Sequence, residues 1–584
     1  MMNAIAEQLD YAIDRRYERW REAELPFYLR KELGELGAGD LTDRFYKHLH
    51  LGPEGVREKV GAGTNRMNIY TVRRIALALA GEIRSGGEEA KQRGVAIAFD
   101  SRILSRVFAE QAALVLAKNR VKVYLFEQAR PTPELSFAVR FLHAAAGLMI
   151  TAGHYPYDYN GVKLFSSDGA VMAPEYNQLV ARRMEGIEEE VSIPLMDAEE
   201  AVRQGLLVLV GTEVDKAYHH KLVGIIVRPT AFRAGRTRLR VIYTPLHGSG
   251  GQTPLALLKQ MGYRDVESVP EQFQPDPLFP TIDEPDPNNP DSYRQALLLA
   301  ERKQTDLIMA TDPESQQLGA MARDKSGRCR LLSANQLGSL LLEYLCTQKR
   351  ANEPVYPATF YKSLLTTELS TAIARRYGLH IVETPPGFRH IAARIAEEEQ
   401  LGARKFFFAF DESGGCLPQA FVRDKDAMQT LLLTTEMAAF YKSRGLTLWD
   451  QLYKLYEAYG FYLEDQVSLS FPGLEGSQRL RNVMRKLRGE VPEKLSSLRI
   501  RSIYDSEEHG VKALGFSKEA ANQELGANVI KYVFEDGAWC ALQPTGAGTS
   551  LRLYYGAKEW SEVRCRRRLA AIRTALLYDM ETIL

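Results

Sequence analysis

The sequence holds few cysteines: five in 584 residues, Cys329, Cys346, Cys416, Cys540 and Cys565. They are scattered and odd in number, without the close pairs that bind zinc or form a redox dithiol, so the expected setting is a reducing cytosol. Net charge is nearly absent as well. Lysine plus arginine, 75, almost cancels aspartate plus glutamate, 74, which leaves no global basic field for nucleic acid. There is no unbroken apolar stretch of membrane-spanning length. The opening MMNAIAEQLDYAIDRRYERW is basic, acidic and aromatic by turns and reads as a soluble amphipathic helix rather than a signal peptide. These absences predict no membrane and no nucleic-acid partner.

Hydrophobic residues make up 45% of the chain and charged residues 26%, the balance of a globular protein. The length predicts several domains, each with its own core. The dominant rhythm is a short β-branched or aromatic run, a turn, and then a helical pattern, the signature of α/β units with mainly parallel strands. Strands are predicted at 94–100 (GVAIAFD), 121–127, 147–153, 239–246, 306–312, 358–363 and 405–411. Helices are predicted at 106–118 and 335–344, with Asp or Asn near the start to cap free amides. Segment 273–290, rich in proline, aspartate and asparagine, reads as a long loop beside a cleft or a domain seam. Past Gly445 the texture changes to a helical pair and then to NVIKYVFEDGAWCALQPTG, where Asp536 and Gly537 supply a hairpin turn in a distinct antiparallel domain.

Several stretches, in order, resemble the phosphohexomutase family, the phosphoglucomutase and phosphomannomutase group, and in particular its long phosphoglucomutase branch. They are GAGTNRMNIYTVRR (61–74), FDSRILSRVFAE (99–110), TAGHYPYDYNGVKLF (151–165), YTPLHGSGG (243–251) and ATDPESQQLG (310–319). LLSANQLGSLLLEYL, TTEL, ETPPGFRHI, FAFDESGG, FVRDKDAMQ and QPTGAGTSLRLYYG continue the series. The resemblance implies an α/β fold of four domains: three α/β domains with mixed sheets around a central cleft, and a smaller C-terminal α+β domain. We place them at 1–205, 206–325, 326–450 and 451–584. It also implies a reaction, in which a phosphoserine gives its phosphoryl group to a hexose phosphate and magnesium neutralises the transfer.

This chain departs from that pattern at the atoms that would do the chemistry. The family's catalytic loop is Thr-Ala-Ser-His-Asn-Pro; here Gly153 replaces the nucleophilic serine, between Ala152 and His154. Glycine has no atom to phosphorylate. His154 is set against two readings, replacement nucleophile or loop-stabilising histidine, and the second is favoured. Lys163 matches the family's general acid/base. In place of the metal loop Asp-x-Asp-x-Asp-Arg stand Asp312, Glu314, Gln316 and Gln317, so the resemblance implies a degenerate magnesium site, with metal binding weak or absent and no cofactor expected.

The sugar loop survives best, as Asp411, Glu412, Ser413 and Gly414, and Arg389 stands where the family has a lysine. The phosphate loop Arg-Pro-Ser-Gly-Thr-Glu-Pro-Lys is represented by Gln543, Pro544, Thr545 and Gly546, without either cation, and Arg552 two positions into the next strand reads as a solvated strand-face residue. Arg57, Arg102 and Arg423 keep charge near the implied cleft. Attraction of an anion and salt bridges with acids such as Asp424 and Asp426 remain equally open for them.

The resulting expectation is a pseudoenzyme of carbohydrate metabolism that binds a sugar or sugar phosphate or regulates a partner. The alternatives are an active divergent phosphoglucomutase or phosphomannomutase, and a scaffold docking on an active paralogue.

Overall fold

Alternating apolar strands and helices predict layered α/β units, and a computed structural model has them. It describes residues 2–228, 239–350, 357–402, 404–471, 473–489, 493–495, 498–506, 510–513, 528–545 and 550–583. The chain forms two compact units, one running to Met321 and including Leu417–Ala439, the other made of Ala322–Cys416 and Phe440–Leu584.

In the first unit a six-stranded sheet has the order Val56–Lys59, Tyr159–Ser166, Ala146–Ile150, Val95–Phe99, Val123–Phe126, Leu207–Val210. The last four are parallel and the first two antiparallel, so the sheet is mixed. Val95–Phe99 and Ala146–Ile150 are buried at every residue, as strands covered on both faces must be. Helices Ile69–Ser85, Ser105–Lys118 and Thr132–Phe141 lie in this unit. Asn68 caps the first by accepting from the amides of Tyr70 and Thr71, and Pro133 opens the third where no amide donor is needed. A second sheet places Val241–Thr244 between Val266–Ser268 and Leu307–Thr311, all parallel, with Leu318–Arg323 beyond.

The second unit holds the parallel strands His380–Thr384, Ala358–Ser363 and Lys405–Phe410. It also holds an antiparallel sheet that includes Phe461–Ser470, Ser550–Glu559, Trp539–Thr545, Ile530–Phe534 and Leu498–Asp505. Helices Gly473–Gly489 and Glu562–Ile583 share one core with Cys540, Leu542, Leu553 and Tyr555 of that sheet. The alternate residues Trp539, Ala541 and Tyr554 pack with Leu364 and Leu365 on the other face, the period-two division of a strand covered on both sides.

The seven predicted strands all form, six of them within two residues of the expected ends; the one predicted at 147–153 forms as Ala146–Ile150 and stops three residues early, where the loop at Thr151 begins. The Asp536-Gly537 turn forms too, with Gly537 at φ +84° and Asp536 accepting from the Ala538 amide. The predicted caps differ. Asn335 does not cap its own helix, Ala334–Arg350; its side chain accepts from the Thr367 amide. Ser333 and Gln336 form the reciprocal capping pair instead. Helix Ser105–Lys118 has no side-chain cap and starts after Leu104 at φ +60°. All five cysteines are free thiols, and no helix among the described residues is long and apolar enough to cross a membrane.

Candidate functional site

In the first unit, the loop at 151–156 leaves the C-terminal end of strand Ala146–Ile150, where α/β sheets present their working loops. The Thr151 hydroxyl accepts from the Gly153 amide at 2.9 Å. Gly153 sits at φ +59°, a left-handed position that glycine takes without strain. Arg102 holds the loop in shape. Its guanidinium donates to the carbonyls of Gly153 and Pro156, both at 2.7 Å, of Tyr159 at 3.0 Å, and of Tyr155. It is buried, as is Asp100 beside it. Arg102 is thus a backbone staple that also pairs with Asp100, Nε to Oδ2 at 3.6 Å.

Lys163 lies on strand Tyr159–Ser166, opposite Met149, and its side chain is buried. The loop at 312–317 follows strand Leu307–Thr311, turns through Ser315 at φ +57°, and places Glu314 against it. Lys163 Nζ donates to both Glu314 carboxylate oxygens, at 2.6 and 2.7 Å, and to Gln316 Oε1 at 3.1 Å. Thr132 Oγ1 donates to Glu314 Oε2 at 2.6 Å, and the Thr132 amide to the Glu314 carbonyl at 2.9 Å. Gln316 Nε2 in turn donates to Asp424 Oδ2 at 2.5 Å. Thr132, Glu314, Lys163, Gln316 and Asp424 thus form one continuous polar chain, every link made within the protein.

Burial alone would raise the Glu314 carboxyl, but Lys163, Arg57 and the hydrogen bonds outweigh it and hold it down at about 2. Asp312 moves the other way: burial, then the neighbouring Glu314 charge, push it up. Burial likewise raises Asp424 and Asp426 to about 6. His154 is driven below its usual range by burial, opposed by Asp286. Its ring lies 6.0 Å from that of Tyr155, while Arg57 extends over the Tyr155 ring at 5.9 Å.

Arg423 is buried, and its guanidinium donates to the Ala420 carbonyl at 2.5 Å. Asp426 accepts from Tyr218 Oη and from the amides of Met428 and Gln429. Loop 273–290 reaches the 312–317 loop through Asn288, which donates to Gln317 Oε1 at 3.2 Å.

Magnesium needs several hard oxygens free to converge. Asp312 Oδ1 is spent on the amides of Gln316 and Gln317 at 2.7 and 2.8 Å. Both Glu314 oxygens are spent on Lys163 and Thr132. The remaining two loop positions, Gln316 and Gln317, are neutral. Among the described residues no three histidine, cysteine or carboxylate groups converge as a metal site would need.

In the second unit, Asp411 follows strand Lys405–Phe410 and its Oδ1 accepts from the Ser413 amide and hydroxyl at 3.0 and 2.6 Å. Arg389 lies in the first turn of helix Phe388–Leu401. Gln543 and Thr545 pair across the hairpin with Arg552 and Ser550; Gly546 to Thr549 lie outside the described residues. In the same sheet the Tyr554 hydroxyl, which sequence reasoning missed, donates to Gln543 Oε1 at 3.3 Å and accepts from Arg552 Nη1 at 3.4 Å. Burial, then Glu412, raise it to about 12. Arg552 is half-buried on this tyrosine rather than solvated.

Also missed were Thr132, whose place before Pro133 was its only sequence signal, and Lys531. Lys531 is buried and donates to the Leu364 carbonyl at 2.6 Å, and no local pattern announces it.

Sequence models of phosphoglucomutase/phosphomannomutase α/β/α domains I, II and III match residues 48–191, 216–326 and 333–459. A phosphoglucomutase of Staphylococcus aureus strain MRSA252 is 32% identical over 516 residues, 88% of this chain and 90% of that protein. Among solved structures, the parafusin phosphoglucomutase of Paramecium superposes with a TM-score of 0.67 at 16% identity, covering 91% of this chain and 94% of that one. A phosphoglucomutase/phosphomannomutase family protein of Burkholderia thailandensis gives 0.64 at 17%, covering 91% and 97%. The order of its loops, its three matching domains and its likeness to the staphylococcal protein along most of both chains place this chain in the phosphoglucomutase/phosphomannomutase family, the α-D-phosphohexomutases.

Proposed function

We propose that this protein performs no phosphoryl transfer and acts as a binder of a sugar or sugar phosphate, or as a regulatory partner, on a phosphohexomutase fold. One observation carries the reading. At the position of the family's nucleophile stands Gly153, and a Cβ there would lie 2.9 Å from Glu314 Oε1. The lysine that would act as general acid/base is tied to that same carboxylate. A proton-transfer group must reach the substrate's proton, and a nucleophile must exist to be activated; neither condition is met by these side chains. What supports retained binding is the second unit, where Asp411 holds the Ser413 hydroxyl and Gln543 accepts from Tyr554.

A coupled assay converting glucose 1-phosphate to glucose 6-phosphate, with glucose 1,6-bisphosphate and magnesium added, tests the reading. The expected result is no turnover above that of a Lys163→Ala variant. Robust activity lost in that variant would overturn it.

A second reading, an active divergent phosphoglucomutase, is favoured by the name and the 32% identity of the staphylococcal relative. It requires another nucleophile. The nearest hydroxyl in the loop, on Thr151, is fully buried and accepts from the Gly153 amide. Intact mass after incubation with glucose 1,6-bisphosphate separates the readings, since this one requires a gain of one phosphoryl group.

A further inference from the structure

A buried ammonium with a hydroxyl and a left-handed glycine loop beside it is a donor set suited to a tetrahedral anion. Lys163 and Thr132 supply the ammonium and the hydroxyl here, beside the left-handed Gly153, whose own amide is given to Thr151. In this chain the anion is the protein's own. The Glu314 side chain reaches from the 312–317 loop into the space that a side chain at position 153 would enter, and its two oxygens take the lysine and threonine donors. An aspartate there would be one methylene shorter and would not extend as far.

We infer that the Glu314 carboxylate is a built-in occupant of an anion site, whose donors it takes and whose charge it neutralises, so that the ligand of this protein presents no anionic group to this loop. The inference rests on the non-catalytic reading and deepens it by naming the ligand class. A neutral sugar, or a sugar phosphate whose single phosphate lies elsewhere, is compatible with the site. A bisphosphate that must place a phosphoryl group against Lys163 is excluded by charge, because a second anion beside a carboxylate in a buried setting is strongly repelled.

Glu314→Ala removes the occupant and leaves the donors. Inorganic phosphate is the probe, and thermal unfolding is the readout. Phosphate should raise the melting temperature of Glu314→Ala, the rise growing with the logarithm of phosphate concentration and reaching a few degrees well above the dissociation constant. It should leave wild type unmoved, and it should have no effect on the Lys163→Met/Glu314→Ala pair. A wild type stabilised as much as the variant overturns the inference, as does a folded Glu314→Ala that ignores phosphate.

If Glu314→Ala folds only with phosphate present, the occupant has been replaced and the inference holds. If it folds in neither condition, Glu314→Gln decides, since its one amide oxygen can still accept from Lys163 and Thr132 while the charge that repels a second anion is gone. It should bind glucose 1,6-bisphosphate about tenfold more tightly than wild type, and equal affinity overturns the inference. Failure here leaves the absence of transfer standing, because the coupled assay on wild type judges that separately.

Discussion

Returning a serine to position 153 is the perturbation whose outcome the geometry fixes most sharply. Gly153→Ser gives a left-handed residue a side chain, at a cost of about 1–2 kcal/mol. It also sets a Cβ 2.9 Å from an oxygen of Glu314 that cannot step aside without loosening its bonds to Lys163. Breaking a buried pair outright costs about 3–5 kcal/mol; a partial displacement costs a fraction of that. The sum is about 2–4 kcal/mol of destabilisation, localised to the first unit. Thermal unfolding together with hydrogen exchange over residues 146–166 reads it out. The Gly153→Ser chain should melt earlier, exchange faster in that segment, and take no phosphoryl group from glucose 1,6-bisphosphate. Adding Glu314→Asp, which withdraws the carboxylate by one methylene, should recover part of the loss. A Gly153→Ser protein as stable as wild type, or one that becomes phosphorylated, would refute the claim that positions 153 and 314 share one space.

Three further outcomes follow from the same contacts. Lys163→Met strands a buried carboxylate and should cost about 3–5 kcal/mol in denaturant unfolding, with Glu314→Gln in the same chain recovering a measurable part through their coupling. Arg102→Lys should lose about 2–3 kcal/mol and expose the 153–159 segment to proteolysis, because an ammonium cannot bridge the four carbonyls that the guanidinium serves. Asp426, raised by burial to about 6, keeps its proton in the folded chain at pH values where the unfolded chain has lost it. Its support for the fold is full below about pH 3.8 and is lost as pH rises through 6. Asp426→Asn keeps the capping oxygen and can donate to Tyr218 Oη, so its stability relative to wild type should climb between pH 4 and 7 by about 1–3 kcal/mol; a flat difference would contradict the shift.

Local pattern carried much of the fold. Strands such as Val95–Phe99 and Lys405–Phe410 are short apolar runs between turn signals, and the Asp536-Gly537 hairpin is a local chemical device. The antiparallel edge Val56–Lys59 with Tyr159–Ser166 was not legible, because a partly buried edge strand lacks a continuous apolar run and its partner is set by register with a distant segment. The site divided in the same way. Gly153 and the altered acids of 312–317 stand out against the loop pattern of the family. The pairing of Lys163 with Glu314 spans 151 residues, and that of Lys531 with the Leu364 carbonyl spans 167. Neither is encoded in any window of sequence. Glu314, expected as a weakened metal ligand, and Lys163, expected as a general acid/base, are paired with each other across that distance.

The central claim is that no side chain in this protein carries a phosphoryl group through a catalytic cycle. Intact-mass measurement of wild type after incubation with glucose 1,6-bisphosphate and magnesium tests it directly. The account predicts an unchanged mass at all times. A phosphorylated species that forms and is discharged by added glucose 1-phosphate at a rate matching turnover would contradict it.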